Sequence, residues 1–223
     1  LKVATAAPGE HAVRNIVHFA AQNAWFYAVA AIPLAQLVAI EFTNPIWVAL
    51  LAPLMLGERL TRAGLAATLI GFLGILVVTR PGLAPLEIGH GAALVAAVGF
   101  AVTNILTKRL SRGDGAMVIL FWMTASQMVM GFAIALPLGL TLFSWDLAPW
   151  MLLVGVCGLT AHFSLTRALM AAPASVVAPM EFARLPVIAV AAALLYGEGL
   201  EVAVFAGAVL ILLGNTLNIR ARA

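Results

Sequence analysis

Polar residues are sparse along this chain, and they bound long apolar runs instead of alternating with apolar neighbours. The runs are about 17 to 25 residues long, the length that spans a ~30 Å hydrocarbon core as a helix. They fall at about 14–32, 35–56, 63–80, 90–109, 117–140, 149–171, 175–196 and 202–219, which predicts about eight membrane-spanning helices. A transmembrane barrel would need about ten-residue segments with a period of two, and no such period runs through the chain. Helices also follow from the solvent, because lipid offers no partner to an unpaired backbone N–H or C=O. The connections are short and hold the breakers Pro33, Gly57 to Arg62, Arg80-Pro81-Gly82, Ser111 to Gly115, Ser144 to Pro149, Pro173 and Gly197 to Glu201.

Composition agrees with the pattern. Of 223 residues, 64% are hydrophobic and 9% charged, with a mean hydropathy of +1.09, whereas a soluble domain is roughly a quarter charged. The expected fold class is therefore an all-α polytopic membrane protein, its main partner the lipid bilayer. Placement of the basic residues adds orientation. Lys2, Arg14, Arg59, Arg62, Lys108, Arg109, Arg112, Arg220 and Arg222 fall on one set of alternate loops and helix ends, Arg80 alone on the other. The positive-inside rule then sets both termini in the cytoplasm, with the chain in the inner (plasma) membrane. Glu87, Asp146, Glu198 and Glu201 fall on the opposite side. Cys157 is the single cysteine, so no intramolecular disulfide forms. The opening LKVATAAPGEHAVRN has no apolar core and does not read as a cleavable signal peptide.

An internal repeat carries the most information. Sliding the chain by 140 residues places Glu41-Phe42 on Glu181-Phe182, Gly57-Glu58 on Gly197-Glu198, Leu60 on Leu200, Gly74 on Gly214, Arg80 on Arg220 and Pro33 on Pro173, without a gap. The predicted spans put five crossings between the copies, and an odd number inverts one copy relative to the other. Inverted-topology repeats characterise secondary transporters. The expected division is residues 1–82, a first repeat of three helices, and residues 83–223, a second repeat of five. The first repeat is expected to be two helices short at its N-terminal end, in keeping with a chain that opens on Leu1.

The two copies read "VAAIPLAQLVAIEFTNPIWVALLAPLMLGERLTRAGLAATLIGFLGILVVTRPG" and "LMAAPASVVAPMEFARLPVIAVAAALLYGEGLEVAVFAGAVLILLGNTLNIRA". On these residues the chain resembles the drug/metabolite transporter superfamily, specifically proteins built from two EamA-type domains. The resemblance implies a ten-helix carrier of two inverted halves, both termini cytoplasmic, around a central cavity for a small metabolite. It implies secondary active export or import by alternating access, with no cofactor and no nucleic-acid partner. Amino acids, nucleosides, riboflavin, S-adenosylmethionine and drugs all fall within the substrates it admits.

Charged and amide side chains at membrane depth are the candidate site. Such groups cost several kcal/mol unless they face a bundle interior and find partners. Glu41 with Asn44, and Glu181 with Arg184, are three residues apart and share a helix face. Arg167 and His162 lie near the cytoplasmic end of the span before Glu181. In the functional reading Arg184 or Arg167 grips an anionic group, a carboxylate or phosphate suited to the guanidinium fork, and Glu41 or Glu181 meets a cationic group or a proton. The competing reading is an ion-pair cluster of Glu181, Arg184 and Arg167 that only ties helices together. Pro45, Pro53 and Pro186 leave the carbonyls of Glu41, Ala49 and Phe182 without an N–H donor, which predicts kinks beside the carboxylates. Broken helices in corresponding positions of two halves point to a transporter site.

A stripe of Asn15, His18, Gln22 and Trp25 adds candidates, of which Gln22 and Trp25 are expected to line the cavity and the other two to be interfacial. Asn104, Gln127 and Trp122 are further lining candidates. Gly57-Glu58 and Gly197-Glu198 read as turn chemistry, with each glutamate near the N-terminus of the next helix. Gly71, Gly74, Gly207 and Gly214 suit close helix packing and offer a homodimer surface. An intramembrane enzyme is the alternative class, but no HExxH, GxSxG or GxxxxGK[ST] occurs. A flippase of a lipid-linked substrate shares the helix content and is separated from a carrier of soluble metabolites by what it moves.

Overall fold

Where the structure describes them, the apolar runs fold as helices, as lipid requires. The computed structural model describes residues 3–32, 34–58, 61–79, 87–138 and 145–184, with scattered helical positions between 187 and 217. Its helices are α1 (Pro8–Ala31), α2 (Leu34–Glu41), α3 (Asn44–Leu56), α4 (Arg62–Thr79), α5 (Ile88–Leu110), α6 (Ala116–Ala135), α7 (Ala148–Ala171) and α8 (Ala174–Met180). Short 3₁₀ turns occupy Leu136–Leu138, Trp145–Leu147 and Glu181–Ala183, and the described residues contain no strand. Helices Ile88–Leu110, Ala116–Ala135 and Trp145–Ala171 are long and apolar enough to cross a membrane. Helix α1 matches them in length at 24 residues but carries Arg14, Asn15, His18, Gln22 and Asn23. Lys2, Pro33, Arg59, Leu60, Arg80, Pro81, Gly82, Ser144, Pro186, the Gly197 to Glu201 turn, Arg220 and Arg222 lie outside the described residues.

The run expected at 35–56 is two helices. Helix α2 stops at Glu41 and α3 starts at Asn44 with Pro45 in its first turn, where a missing N–H costs least. The intervening turn is closed by Thr43, whose hydroxyl donates to the Ile40 carbonyl at 2.7 Å and accepts from Trp47 Nε1 at 3.1 Å. Pro53 stays inside α3. In the later copy the regular helix ends at Met180, one residue after Pro179, and tightens into the 3₁₀ turn at Glu181. Glu41 and Asn44 therefore flank a break instead of sharing one helix face.

Small residues bring α1 and α5 together. Gly89, Ala93, Ala97 and Ala101 recur every fourth position on α5, and the three alanines are fully buried. A Cβ added at Gly99 would stand 2.7 Å from Ala21 Cβ, so the α1–α5 seam leaves no room for a side chain there. Behind the seam, Val48 and Ala52 of α3, Ala101 and Ile105 of α5, Leu169 of α7 and Val177 of α8 form one core cluster. Gly71 of α4 packs against the ring of Phe182 within the chain.

Polar capping joins the ends of these helices. Gly57 ends α3 in the left-handed conformation at φ 69°, as a C-terminal glycine should. Glu58 does not serve the next helix. Its carboxylate accepts from Ala174 N at 2.9 Å, Ser175 N at 3.2 Å and Ser175 Oγ at 2.8 Å, capping α8 from across the chain. Lys108 Nζ donates to the carbonyls of Leu169 at 2.5 Å and Ala172 at 2.9 Å, closing the C-terminal end of α7. At the same end of the bundle, Asp114 Oδ2 accepts from Thr5 Oγ1 at 2.6 Å and bonds His11 Nε2 at 2.8 Å.

Two outcomes follow. Gly99→Leu lowers stability by about 1–3 kcal/mol through overpacking of the α1–α5 seam, read as a lower melting midpoint of the purified protein in detergent. Asp114 lies in the loop between α5 and α6. Burial alone raises its carboxyl, but the hydrogen bonds from Thr5 and His11 and the charge of a protonated His11 outweigh burial and hold it below the usual carboxylate range. A carboxyl lowered by folding contributes stability above its unfolded value of about 3.9, lost as pH falls through the folded value. Melting midpoints measured from neutral pH into that acid range should fall more for the wild type than for Asp114→Asn.

Candidate functional site

The breaks described above deliver carboxylates to a shared space. Glu41 closes α2, Glu181 opens the 3₁₀ turn after α8, and Arg184 caps that turn. Arg184 crosses to Glu41 Oε1 in an ion pair and lies over the Phe42 ring, its guanidinium carbon 4.7 Å from the centroid. The second Glu41 oxygen accepts from Trp25 Nε1 at 2.7 Å. Glu181 Oε1 accepts from Asn104 Nδ2 of α5 at 3.0 Å. Phe42 and Phe182, 140 residues apart in the chain, meet edge to face at 5.8 Å. Glu41, Glu181 and Arg184 thus each have a partner from another element, the arrangement that lipid's weak solvation demands.

These side chains border a cavity of about 490 Å³, large enough for a small metabolite. Helix α1 contributes Arg14, His18, Gln22 and Trp25 to its wall, and α5 contributes Thr103 and Asn104. Asn44 reaches it from the start of α3, donating through Nδ2 to the Ala97 carbonyl at 3.2 Å. Its Oδ1 and the Nδ1 of His18 are buried without a hydrogen-bond partner among the described residues. Helix α7 presents Gly158, Ala161, His162 and Leu165.

Of the residues singled out in the sequence, Glu41, Asn44, Glu181, Arg184, His162, Gln22, Trp25 and Asn104 all border this one cavity. Arg167 and Trp122 do not. Arg167 is exposed, because two residues beyond Leu165 a helix has turned about 200° away from the cavity face. It joins neither Glu181 nor Arg184, and the expected three-membered cluster is replaced by the Arg184–Glu41 and Glu181–Asn104 pairs. Trp122 lies in the second turn of α6, where its indole N–H donates to the Val3 carbonyl at 3.0 Å and its own carbonyl accepts from Asn15 Nδ2 at 2.9 Å. Gln127 is likewise not among the lining residues.

Arg14 and His18 are functional candidates that sequence reasoning passed over. The sequence pattern sets Arg14 at the basic membrane edge and His18 at the interface, whereas the structure brings both to the cavity wall. The signal was present, since Arg14, His18 and Gln22 follow one another at four-residue steps and extend the Trp25 stripe by a turn.

Comparison with known proteins agrees with this architecture. The sequence profile of the EamA-like transporter family matches residues 11–80 and 87–220. A riboflavin transporter of Rhizobium johnstonii is 29% identical over 96% of this chain and 70% of its own length. An S-adenosylmethionine uptake transporter of Rickettsia prowazekii is 24% identical over 93% of this chain and 70% of its own. An uncharacterized transporter of Helicobacter pylori is 30% identical over 78% of this chain and 61% of its own. One solved crystal structure superposes with a TM-score of 0.79 at 18% identity, covering 93% of this chain and 76% of that one, which shows the shared fold. With both profile matches spanning nearly its whole length, this multi-pass membrane chain belongs to the EamA-like transporter family.

Proposed function

We propose that the protein is a secondary active transporter of a small polar metabolite, and that the cavity between α1, α3, α5, α7 and the Glu181 turn is its substrate site. The Arg184–Glu41 pair carries this reading, because it joins the two profile-matched segments across the cavity wall. An empty carrier has to neutralise charges that lipid does not solvate, and pairing them with each other achieves this. A polar substrate that offers its own donors to Glu41 and Glu181 competes for those carboxylates and loosens the tie between segments. Alternating access follows when the two segments, related as inverted repeats divided near residue 82, rock about this point. The meeting of Phe42 with Phe182, equivalent positions of the repeat, supports a pseudo-symmetric pivot. Both termini lie in the cytoplasm under the positive-inside rule.

The relatives named for riboflavin and S-adenosylmethionine make those two compounds the first to assay. Uptake and efflux are to be followed in cells expressing the full chain, together with comparative metabolite profiling of cells and medium. Arg184→Ala is expected to reduce movement of the responsive metabolite by about tenfold or more, the scale of a lost charge-assisted contact. Because an orphaned Glu41 at membrane depth also threatens folding, the charge-neutral pair Glu41→Gln with Arg184→Gln is the companion variant, with expression at the membrane quantified for both. Movement that persists in both Arg184→Ala and Glu181→Gln refutes the site assignment.

A further inference from the structure

Arg14 differs from the other cations of the bundle. Its side chain is 2% exposed, and it borders the cavity from α1. Nε donates to Thr107 Oγ1 at 3.1 Å and one terminal nitrogen donates to Asn15 Oδ1 at 3.0 Å, both neutral acceptors. A guanidinium carries five N–H donors and stays protonated in proteins, so these two bonds leave donors over and the charge uncompensated. No carboxylate pairs with it among the described residues, whereas Arg184 has Glu41 and Arg109 has Glu10 at 2.9 Å. An unpaired charge enclosed in this way is strongly unfavourable unless an anion joins it.

The surroundings of Arg14 suit an anion. The rings of His18, one turn along α1 from Arg14, and His162 meet edge to face with centroids 5.0 Å apart, and both border the cavity. The enclosed Nδ1 of His18 has no hydrogen-bond partner among the described residues and is a donor in one tautomer. Of the carboxylates that border the cavity, Glu41 is held by Trp25 and Arg184, and Glu181 by Asn104, one turn along α5 from Thr107. Along α1 the rise from Arg14 to Trp25 is about 16 Å at ~1.5 Å per residue, so Arg14 and the Trp25-bound Glu41 stand about the length of a small metabolite apart.

We infer that Arg14, held by Thr107 and Asn15 and assisted by His18, is the anchor for a carboxylate or phosphate group of a soluble substrate. The bound metabolite then lies along α1, its anionic end at Arg14 and its cationic or hydrogen-bond-donating end at Glu41. This places the anion grip at Arg14 and not at Arg184 or Arg167, since Arg184 is already neutralised by Glu41 and Arg167 is outside the cavity. The inference rests on reading the cavity as the substrate site.

Binding, measured without translocation, separates this inference from the transport proposal. Full-length protein purified in an uncharged detergent is titrated with inorganic phosphate and with acetate, against chloride at matched ionic strength. The readouts are melting midpoint and tryptophan fluorescence, Trp25 being in the cavity wall. The expected result is saturable stabilisation of the wild type, with the Kd raised about tenfold or more in Arg14→Gln, the scale of a lost charge-assisted bond. Arg14→Lys, which keeps a point charge but loses the fork, binds with intermediate affinity and covers the case in which the glutamine variant does not fold. Arg167→Gln, which removes a cation outside the cavity, binds phosphate or acetate as the wild type does. Equal response of wild type and both Arg14 variants, or no response of the wild type to either anion, overturns the inference. A parallel series in phosphatidylcholine nanodiscs with and without phosphatidylglycerol tests the lipid source of the same chemistry. Stabilisation by phosphatidylglycerol alone, lost in Arg14→Gln, overturns assignment of the anchor to a soluble substrate.

Discussion

Charge enclosed at membrane depth has to be answered by charge or by hydrogen bonds, and in this protein Arg184 and Glu41 answer each other. The rest of the cavity is organised around that pair. Trp25 occupies the second oxygen of Glu41, and Phe42 lies under the guanidinium of Arg184. Glu181, three residues before Arg184, turns to Asn104. Trp25, Asn104 and Arg184 thus converge on two carboxylates, and the Arg184–Glu41 pair ties the earlier profile-matched segment to the later one.

Such convergence needs helices that approach closely and then break in the right place. The glycine and alanine positions of α5 bring α1 within backbone range, which sets Arg14, His18, Gln22 and Trp25 opposite Thr103 and Asn104. The breaks at Phe42 and Thr43 and at Glu181 release each carboxylate from a continuous helix side and aim it inward. Proline governs both, though by different routes. Pro45 starts a new helix, whereas Pro179 precedes a tightening of the old one. Glu58 then joins the end of α3 to the start of α8, so the pieces that carry Asn44 and Glu181 are held at both ends.

The cavity that results is chemically lopsided. Its carboxylates are partnered, Glu41 by Trp25 and Arg184 and Glu181 by Asn104, while Arg14, beside the imidazoles of His18 and His162, has only neutral acceptors. Paired charges stabilise the empty protein, and an unpaired one favours an occupant. That division gives the structure a physical basis for preferring a ligand with two unlike ends.

Hydropathy alone determined that this chain is a helical membrane protein and where its apolar runs lie, because lipid accepts only backbone whose hydrogen bonds close locally. The Glu-Phe steps, the glycine that ends α3 and the need for a break near Pro45 were also legible, being consequences of local backbone chemistry. Partner choice was not. That Arg184 takes Glu41 and leaves Glu181 to Asn104, that Glu58 caps α8, that Trp122 holds Val3, and that Arg14 turns into the cavity while Arg167 turns out, were decided by the tertiary structure. These outcomes depend on how each helix is rotated and which neighbour it crosses. A segment that is apolar on nearly every side carries little periodic record of its rotation, since lipid and protein interior accept the same residues.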